Sequence, residues 1–443
     1  MKKILLVGGG GREHAIAHSI VTGSPNAEIL FCQDCAIPRL LAGARLSLGT
    51  PLEVAQREAV DLVIVGPEAP LVAGLVDELE TAGLTVFGPP QAAARLEGSK
   101  SFAKSFMGQY GVRTAACEVF EEGKAAAALQ YLEQLDEADF PIVLKADGLA
   151  AGKGVLICEQ RETALQGIRS LMEDRIFEGA GATVVIEEYL QGFEASVLAF
   201  CDGNSIRPMP GAKDHKKIFE GERGENTGGM GCVAPHPMFR EGSVLWEDFE
   251  QNILQTTLQG IRDRGWDFCG IIFFGLIIQD EQCYLLEYNM RFGDPEAQTV
   301  LPLLDTPLLD IVQSCLMGRL AEQEIRWKDQ SSCTVVAAAE HYPRSPVAGD
   351  LIEGLQVLPQ QAGPQQAAPE KMETGPSSRL YLAGTCHKEG GFYTAGGRVL
   401  AWNATAPDLE QARFEAYRKL EAHPFRAMQY RRDIGGPIVE LKK

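Results

Sequence analysis

The most informative short stretch of the chain is Lys145-Ala146-Asp147-Gly148-Leu149-Ala150-Ala151-Gly152-Lys153-Gly154-Val155. It is not a Walker A loop, because three residues rather than four separate Gly148 from Gly152, and Gly154 stands where that motif needs Ser or Thr. Small residues between two predicted strands favour a flexible lid whose flanking lysines could contact a triphosphate. A solvated hairpin is the alternative, but Lys145 ends an apolar run where an unpaired charge would be costly.

The composition limits the classes of protein to which the chain can belong. Its 443 residues are enough for about three domains. Lys and Arg total 41 and Asp and Glu 60, a net charge of −19 that disfavours sequence-independent binding to nucleic acid. No apolar run approaches the roughly 18 residues that span a bilayer, so no membrane partner is expected. The 11 scattered cysteines favour a reducing cytoplasm, and Cys32 and Cys35 are interpreted as ordinary thiols rather than a redox or metal pair.

The first hundred residues alternate strand and helix patterns, which predicts an open parallel α/β sheet. Strands are expected at 4–7, 28–32, 61–65 and 84–87, and helices at 13–21 and 71–81. The loop Gly8–Arg12 follows a strand and opens a helix, where backbone N–H groups can bind an anion. The dinucleotide fingerprint would need a glycine in place of Glu13, so a phosphate-binding turn is favoured over a nicotinamide site, with a structural turn as a further alternative. The loop Gly66–Pro70 also follows a strand, at an edge where such sheets bind ligands.

Two later strands end in polar residues. Glu187-Glu188-Tyr189-Leu190 follows an apolar strand that could present its edge to a purine, and Glu194 could accept hydrogen bonds from ribose hydroxyls. The runs 271–278 and 283–289 predict an antiparallel hairpin with Cys283, Leu285, Glu287 and Asn289 on one face. Glu287 would then end an apolar strand, where an uncompensated carboxylate is costly.

Oxygen ligands such as Glu287 and Asn289 suit Mg²⁺, which takes few protein ligands plus substrate phosphates. The alternative is a salt bridge from Glu287 to Arg291. The guanidinium of Arg291 is suited to a carboxylate or phosphate. Asp294 is expected to cap a helix that starts at Pro295.

Several segments together resemble the ATP-grasp superfamily and, within it, the glycinamide ribonucleotide synthetase (phosphoribosylamine–glycine ligase) family. They run in family order over nearly the whole chain: Gly8–Ala15, Gly66–Leu71, Lys145–Val155, Lys213–Lys217, Asn226–Gly231, Arg291–Glu296, Ala383–Thr385 and Gly396–Val399. Glu222 and Glu225 depart from the family's usual residues near the fifth segment, which leaves the geometry of that loop open.

The resemblance implies a multidomain fold that mixes α/β and α+β units. Residues 1–103 would form a pre-ATP-grasp open parallel α/β domain, residues 104–324 a two-part ATP-grasp core with a lid at about 119–191, and residues 325–443 a small β-rich domain. The implied reaction consumes ATP with Mg²⁺ or Mn²⁺. Glycine's carboxylate attacks the γ-phosphate to give glycyl phosphate, and 5-phosphoribosylamine then displaces phosphate. We expect a cytoplasmic monomer or weak dimer.

The resemblance also implies roles for individual residues. Those for ATP are Lys104, Lys145, Gly152, Lys153, Gly154, Glu187, Glu188, Leu190 and Glu194. Glu287 and Asn289 would bind the metal. Arg291 would hold glycine's carboxylate and the acyl phosphate, and Asp214 would attract its ammonium group. Phosphoribosylamine would contact Gly10, Pro67, Glu68, Lys216, Asn226, Asp294, Pro295 and Glu296.

Three other functions remain open on the sequence. One is an ATP-grasp ligase that acts on a different acid or amine. Another is a catalytically silent nucleotide-binding protein, which the retention of Glu287 and Arg291 disfavours. The third is a nicotinamide oxidoreductase.

Overall fold

The computed structural model describes residues 2–149, 154–174, 181–357 and 376–437. Its first unit is a sheet of five parallel strands in the order β3-β2-β1-β4-β5. In chain order the elements are β1 Lys2–Val7, α1 Gly11–Gly23, β2 Ala27–Phe31, β3 Ala44–Leu46, α2 Pro51–Glu58, β4 Leu62–Val65, α3 Glu68–Val72, α4 Leu75–Thr81, β5 Val86–Phe87 and α5 Gln91–Gly98.

Both faces of this sheet are covered, which explains the continuous apolar strands. Ile4 and Leu6 pack with α1 on one face, while Leu5 and Val7 pack with α2, α3 and α4 on the other. The strand order reverses beside β1, so the loops after β1 and β4 flank a crevice at the carboxyl edge of the sheet. The expected α/β unit is confirmed. The helix predicted over 71–81 is wrong in one respect, because Gly74 with φ of 88° separates α3 from α4.

A buried acid shapes the crevice. Glu13 is 2% exposed, and its Oε2 accepts a hydrogen bond of 2.7 Å from the backbone N–H of Gly10. A Cβ atom added to Gly8 would lie 2.7 Å from Glu13 Cδ, and one added to Gly66 would collide with Glu13 Oε1. Glutamate therefore replaces a fingerprint glycine here because its carboxylate fills the space between the two loops.

The next part of the chain forms two antiparallel sheets. Its elements are α6 Lys100–Tyr110, β6 Cys117–Phe120, α7 Ala125–Gln134, β7 Ile142–Ala146, β8 Val155–Cys158, α8 Arg161–Ile168, β9 Val184–Glu188, β10 Phe193–Cys201, β11 Ile206–Pro208, β12 Lys213–Asp214, β13 Lys217–Phe219, β14 Arg223–Asn226, β15 Gly231–Ala234, α9 Val244–Phe249, α10 Gln255–Asp263, β16 Gly270–Gln279, β17 Gln282–Asn289, α11 Glu296–Val300 and α12 Leu308–Leu316. One sheet has the order β6-β9-β7-β8 and carries α7 and α8; the other has the order β11-β10-β16-β17.

A β-bulge interrupts the hairpin of β16 and β17. Gly275 pairs with Glu287 but Leu276 pairs with Leu285, so Leu286 is an extra residue on β17. The predicted sharing of one face by Cys283, Leu285, Glu287 and Asn289 is therefore wrong. Cys283 and Leu285 share the buried face with Tyr288, and the bulge turns Glu287 and Asn289 to the opposite face.

The last elements are β18 Ser331–Ala338, β19 Leu351–Ile352, β20 Ser377–Leu382, β21 Thr385–Lys388, β22 Gly391–Thr394, β23 Arg398–Ala406 and α13 Leu409–Leu420. Strands β18, β23 and β20 join β12 and β15 in one sheet, since β15 pairs antiparallel with β18 from Gly231–Val335 to Ala234–Ser332. The C-terminal unit is thus continuous with the core through a shared sheet. Across the described ranges, no helix is long and apolar enough to cross a membrane.

The space around Glu13 yields a matched pair of glycine substitutions. We expect Gly66→Ala to lower the free energy of unfolding by about 1–3 kcal/mol, because its Cβ must displace a packed, buried carboxylate. Gly108→Ala, in an exposed turn of α6 with no atom within 4 Å, should instead raise it by about 0.5–1 kcal/mol. Thermal unfolding of both variants beside the parent measures the two shifts. Equal shifts would contradict the packing described for Glu13.

Candidate active site

Two lysines from different elements meet at one carboxylate. Lys104 of α6 and Lys145 of β7 place their Nζ atoms 3.3 Å and 2.9 Å from Oε2 of Glu187 on β9. Glu187 is only 3% exposed, and burial lowers the pKa of Lys104. The carboxylate thus neutralises two buried cations that lie side by side, an arrangement that can exchange a carboxylate for the oxygens of a phosphate chain.

The bulge helps to set the position of these lysines. Lys145 Nζ donates to the carbonyl of Leu286, the bulged residue, at 3.2 Å. Lys104 Nζ donates to Thr114 Oγ1 at 2.7 Å, and that hydroxyl donates to the carbonyl of Leu285 at 2.6 Å. The distorted strand therefore supplies acceptors to both sides of the lysine pair.

An apolar slot adjoins the lysines. Ala115, Leu190 and Ile277 are buried together, and Tyr284 and Leu286 pack against them. Oε1 of Glu187 is buried and has no hydrogen-bond partner within the described ranges. Glu188 is exposed, and its Oε1 accepts a hydrogen bond of 2.8 Å from the backbone N–H of Ala116.

The glycine loop between β7 and β8 is tied to the start of α6. Asp147 accepts hydrogen bonds from the hydroxyls of Ser99 (3.1 Å) and Ser101 (2.6 Å), and Lys100 Nζ donates to the carbonyl of Gly148 at 3.0 Å. Gly154, on the other side of the loop, accepts from the backbone N–H of Ala146 at 2.8 Å. The predicted Gly152 and Lys153 lie outside the described residues.

Glu287 and Asn289 lie next to each other at the end of β17, and both face away from the core. Glu287 is exposed, which corrects the expectation of a buried carboxylate. The alternative salt bridge to Arg291 is not present, because Arg291 pairs with other acids. Among the described residues no side chain forms a hydrogen bond or ion pair with Glu287, and no cluster of three or more His, Cys, Asp or Glu could hold a metal. Two oxygen ligands facing an open site fit Mg²⁺, which completes its coordination with water and phosphate.

Arg291 is held from the N-terminal unit. Its Nη2 lies 2.9 Å from Oε1 of Glu97. Glu97 belongs to α5, and the packing of α5 against β17 brings the two side chains together. The other oxygen of Glu97 accepts the backbone N–H of Met290 at 2.7 Å, and burial raises the pKa of this acid despite the charge of Arg291. Nη2 of Arg291 also donates to Oδ1 of Asn289 at 3.3 Å. The predicted carboxylate-binding guanidinium therefore lies directly beside one of the predicted metal ligands.

Arg12 and Glu68 extend this set of charges into the crevice. Nε of Arg12 lies 2.8 Å from Oε1 of Glu13, and its Nη2 lies 3.7 Å from Oε2 of Glu68. The same Glu68 oxygen is 3.6 Å from Nε of Arg291. Glu68 thus lies between Arg12 and the guanidinium that the sequence assigned to the acyl phosphate, while Gly10 and Pro67 belong to the loops that flank the crevice.

A pair of acids lies on the other side of the site. Burial and the charge of Glu296 raise the pKa of the partly buried Asp214, and burial likewise raises the pKa of Glu296, which is 4% exposed. Lys216 lies near both Asp214 and Glu194, and its Nζ is 2.8 Å from Oε2 of Glu194. The charge of Lys216 lowers the pKa of Glu194. The site therefore offers one acid with a strong cation partner and two further acids whose pKa values are raised.

The Asp294 turn is held differently from the prediction. Pro295, not Asp294, is the N-cap residue of α11, so the capping interpretation is wrong. The carboxylate of Asp294 instead accepts from Gln298 Nε2 at 2.6 Å and pairs with Arg398 Nη1 at 3.2 Å. Gly229, with φ of 106°, packs against Pro295 and Asp214, where a Cβ would lie 2.7 Å from the Asp214 carboxylate.

Arg398 connects this turn to the C-terminal unit. Its Nη1 also donates to the backbone carbonyl of Asp294 at 2.7 Å and to that of Gly228. The sequence marked Arg398 only as part of a motif, and it did not assign a role to Arg12, Glu97, Lys100 or Gln298. Lys100 and Lys104 are four residues apart, a spacing that places both on one face of a helix, so the sequence could have predicted that Lys100 lies near the site. No sequence pattern indicated the contact of Glu97 with Arg291, because nearly two hundred residues separate them.

The predicted Asn226 lies on the β13–β14 ribbon, and Glu222 and Glu225, which depart from the family pattern, lie in the same ribbon or its turn. Asn226 is exposed. The divergent Glu225 beside it forms a bidentate ion pair with Arg344, at 2.9 Å and 3.0 Å, and Glu222 pairs with Arg431 at 2.6 Å. Each of these two carboxylates that depart from the family pattern is therefore paired with an arginine that lies nearby in space. His14 and His18, four residues apart on α1, both contact the ring of Tyr381 and are interpreted as packing residues.

The acidic pair predicts a pH-dependent stability. Because the folded pKa values of Asp214 and Glu296 are raised, ionising the pair costs stability as pH rises above the ordinary carboxylate range. Arg291, Lys216 and Arg398 face the pair and offset part of this cost. Glu296→Gln should raise Tm at pH 8 by about 2–4 °C. The gain should fall to nearly zero around pH 4 and below, because even the carboxyls of the unfolded chain become increasingly protonated there.

Differential scanning calorimetry at several pH values measures that gain. Glu247→Gln, at an exposed position on α9, is the matched control and should leave Tm unchanged. A Glu296→Gln gain that is equal at pH 4 and pH 8 would contradict the raised pKa values.

Comparisons with known proteins agree with this geometry. Three family models match consecutive parts of the chain: the N domain of phosphoribosylglycinamide synthetase at residues 2–97, its ATP-grasp (A) domain at 98–297 and its C domain at 332–437. The phosphoribosylamine–glycine ligase of Fusobacterium nucleatum is 43% identical over 99% of this chain and 100% of that protein. That of Clostridium acetobutylicum is also 43% identical, over 98% of this chain and 99% of its own length.

A solved structure extends the likeness to the fold. The crystal structure of phosphoribosylamine–glycine ligase from Thermotoga maritima has a TM-score of 0.81 and 31% identity, covering 98% of this chain and all of that one. The chain belongs to the phosphoribosylglycinamide synthetase (phosphoribosylamine–glycine ligase) family of ATP-grasp ligases.

Proposed function

We propose that this protein ligates glycine to 5-phosphoribosylamine and cleaves ATP to ADP and phosphate in the process. The products are glycinamide ribonucleotide, ADP and phosphate, and the reaction is a step of de novo purine biosynthesis. Glycine's carboxylate oxygen attacks the γ-phosphorus, ADP leaves, and the amine then attacks the acyl carbon and releases phosphate. The observation that carries the proposal is Arg291, a carboxylate-binding guanidinium 3.3 Å from the metal-type ligand Asn289 and held by Glu97.

The nucleotide would lie between the apolar slot and the lysine pair. The adenine ring fits beside Leu190, with the free Oε1 of Glu187 as an acceptor for its exocyclic amine and the segment at Glu188 along its edge. Glu194 is exposed enough to accept from ribose hydroxyls. Lys104 and Lys145 would bind the phosphates and stabilise the charge that moves onto the leaving ADP, and the Gly152, Lys153 and Gly154 loop would cover them.

Glycine would bind through both of its charged ends. Arg291 would hold the carboxylate and, after transfer, the acyl phosphate, which keeps one acyl oxygen oriented toward the γ-phosphate. Asp214, once ionised, would attract the ammonium group. In this account the site selects a small amino acid, because one short molecule must bring a carboxylate to Arg291 and an ammonium group to Asp214.

The amine substrate would occupy the crevice of the N-terminal unit. Gly10, Pro67 and Glu68 line its carboxyl edge, with Lys216, Asn226 and the Asp294, Pro295 and Glu296 turn opposite. The N-terminus of α1 offers backbone donors for a phosphate. In this account the amine would lie between the crevice and the acyl phosphate on Arg291.

Several finer features belong to the same proposal. Glu287 and Asn289 would hold Mg²⁺ or Mn²⁺, since both ions accept oxygen ligands; the ion would neutralise phosphate charge and orient the γ-phosphoryl group. The functional domains would be residues 1–103, 104–324 with a lid at about 119–191, and 325–443. Eleven free cysteines support a reducing cytoplasm. The net charge of −19 supports small-molecule partners rather than nucleic acid, and we propose a monomer or weak dimer.

The direct test is ADP release by the purified protein with ATP, Mg²⁺ and glycine. Phosphoribosylamine is generated in place from ribose 5-phosphate and ammonia. We expect turnover that requires all three substrates, with glycinamide ribonucleotide identified by mass. Turnover with a different amine acceptor, and none with phosphoribosylamine, would favour another ATP-grasp carboxylate–amine ligase.

Glu287 allows a separate test of the metal site. Glu287→Ala should lower kcat by at least about 100-fold, because it removes a proposed metal ligand. Tm should stay within about 1 °C of the parent, since the Glu287 side chain is exposed and makes no ion pair with any described residue. Mn²⁺ binding in the presence of ADP, followed by electron paramagnetic resonance, should weaken in parallel. Glu247→Ala is the control, and unchanged Mn²⁺ binding in Glu287→Ala would refute the metal assignment.

A further inference from the structure

Two guanidinium groups in the site each have one firm acidic partner and share a third acid. Arg12 is paired with Glu13 at 2.8 Å, and Arg291 with Glu97 at 2.9 Å. Glu68 lies between the two arginines, with one oxygen 3.7 Å from Arg12 Nη2 and 3.6 Å from Arg291 Nε. Both distances allow charge attraction but exceed a hydrogen bond.

Glu68 differs from the two firm partners in its freedom to move. The side chains of Glu13 and Glu97 are 3% and 6% exposed, whereas that of Glu68 is 38% exposed. Glu13 and Glu97 each also accept a backbone N–H, from Gly10 and Met290. Glu68 therefore does not hold either arginine in place, and rotation of its side chain would leave both of them anchored.

Arg291 shows where a ligand would compete with Glu68. Its Nε is buried and has no hydrogen-bond partner within the described ranges, because Glu68 stops 3.6 Å away. A shift of less than 1 Å would let Glu68 close this bond, and a carboxylate or acyl phosphate arriving at the same edge would satisfy the same N–H. The two anions cannot both occupy that edge without close repulsion.

We infer that Glu68 couples the two half-reactions: it occupies Arg291 while the amine site is empty and turns to the amine substrate when that substrate binds. The inference rests on the proposed function. The amino and hydroxyl groups of phosphoribosylamine are donors, so they offer Glu68 a partner in the crevice and release the Nε edge of Arg291 to glycine. Glycyl phosphate then forms readily only when its acceptor is present, which limits wasteful hydrolysis of ATP.

Such coupling has a defined size and symmetry. Sites linked in this way typically change one another's affinity by about 5–150-fold, and the change in binding is reciprocal. Removing the charge of Glu68 should therefore weaken binding of the amine substrate. At the same time it should increase the rate at which glycyl phosphate forms when that substrate is absent. A residue that only binds the amine would produce the first effect without the second.

The test measures glycyl phosphate with and without the amine substrate. Parent, Glu68→Gln, Glu68→Asp and the control Glu78→Gln, at an exposed position on α4, are incubated with ATP, Mg²⁺ and glycine. Hydroxylamine traps glycyl phosphate as the hydroxamate in the amine-free reactions. The KM for phosphoribosylamine is measured in parallel, and Tm is recorded for each variant.

We expect Glu68→Gln to raise amine-free hydroxamate formation about tenfold and to raise the KM for phosphoribosylamine by a similar factor. Glu68→Asp should be intermediate, and Glu78→Gln should match the parent. An amine-free rate that is unchanged or lower in Glu68→Gln overturns the inference, whether or not Tm falls. Formation of glycinamide ribonucleotide by the parent tests the proposed function separately, so failure of the coupling is distinguishable from failure of the ligase assignment.

Discussion

The convergence of Lys104 and Lys145 on Glu187 is the interaction on which the rest of the site depends. The three side chains come from α6, β7 and β9, so one carboxylate ties the β6-β9-β7-β8 sheet to helix α6. Two buried ammonium groups would repel each other without it, and removal of one partner from a buried ion pair typically costs about 3–5 kcal/mol. Because the two buried lysines need a negative partner, they are suited to bind a triphosphate, whose negative charge can replace that of the carboxylate.

The bulge at Leu286 positions this lysine pair and the proposed metal ligands relative to each other. Its carbonyl accepts Lys145, and the extra residue turns Glu287 and Asn289 away from the core. Asn289 in turn contacts Arg291, which Glu97 holds from the N-terminal unit. From the C-terminal unit, Arg398 holds the Asp294 turn. The residues proposed to bind phosphate, metal and carboxylate are thus positioned by a single distorted strand and by charges from all three parts of the chain.

Much of this arrangement was predictable from the sequence, because motifs report local backbone chemistry. The ordered motifs predicted the family and the parallel N-terminal sheet, and both are confirmed. Alternation along β17 failed, since a single inserted residue reverses the faces and leaves no compositional trace. Glu97 and Arg398 were missed because pairing over such sequence distances is decided by how whole units dock. The roles of individual site residues stay predictions, and the expected cap at Asp294 failed because Gln298 and Arg398 compete for its carboxylate.

The central claim is that this site joins two substrates through an acyl phosphate that Arg291 orients and the lysine pair helps to form. Glycine labelled with ¹⁸O in its carboxylate tests this claim most directly. During complete turnover with ATP and phosphoribosylamine, the account predicts that one ¹⁸O atom is transferred from glycine to each molecule of inorganic phosphate, as read by mass spectrometry or ³¹P nuclear magnetic resonance. Inorganic phosphate without label, formed alongside labelled product, would contradict the account.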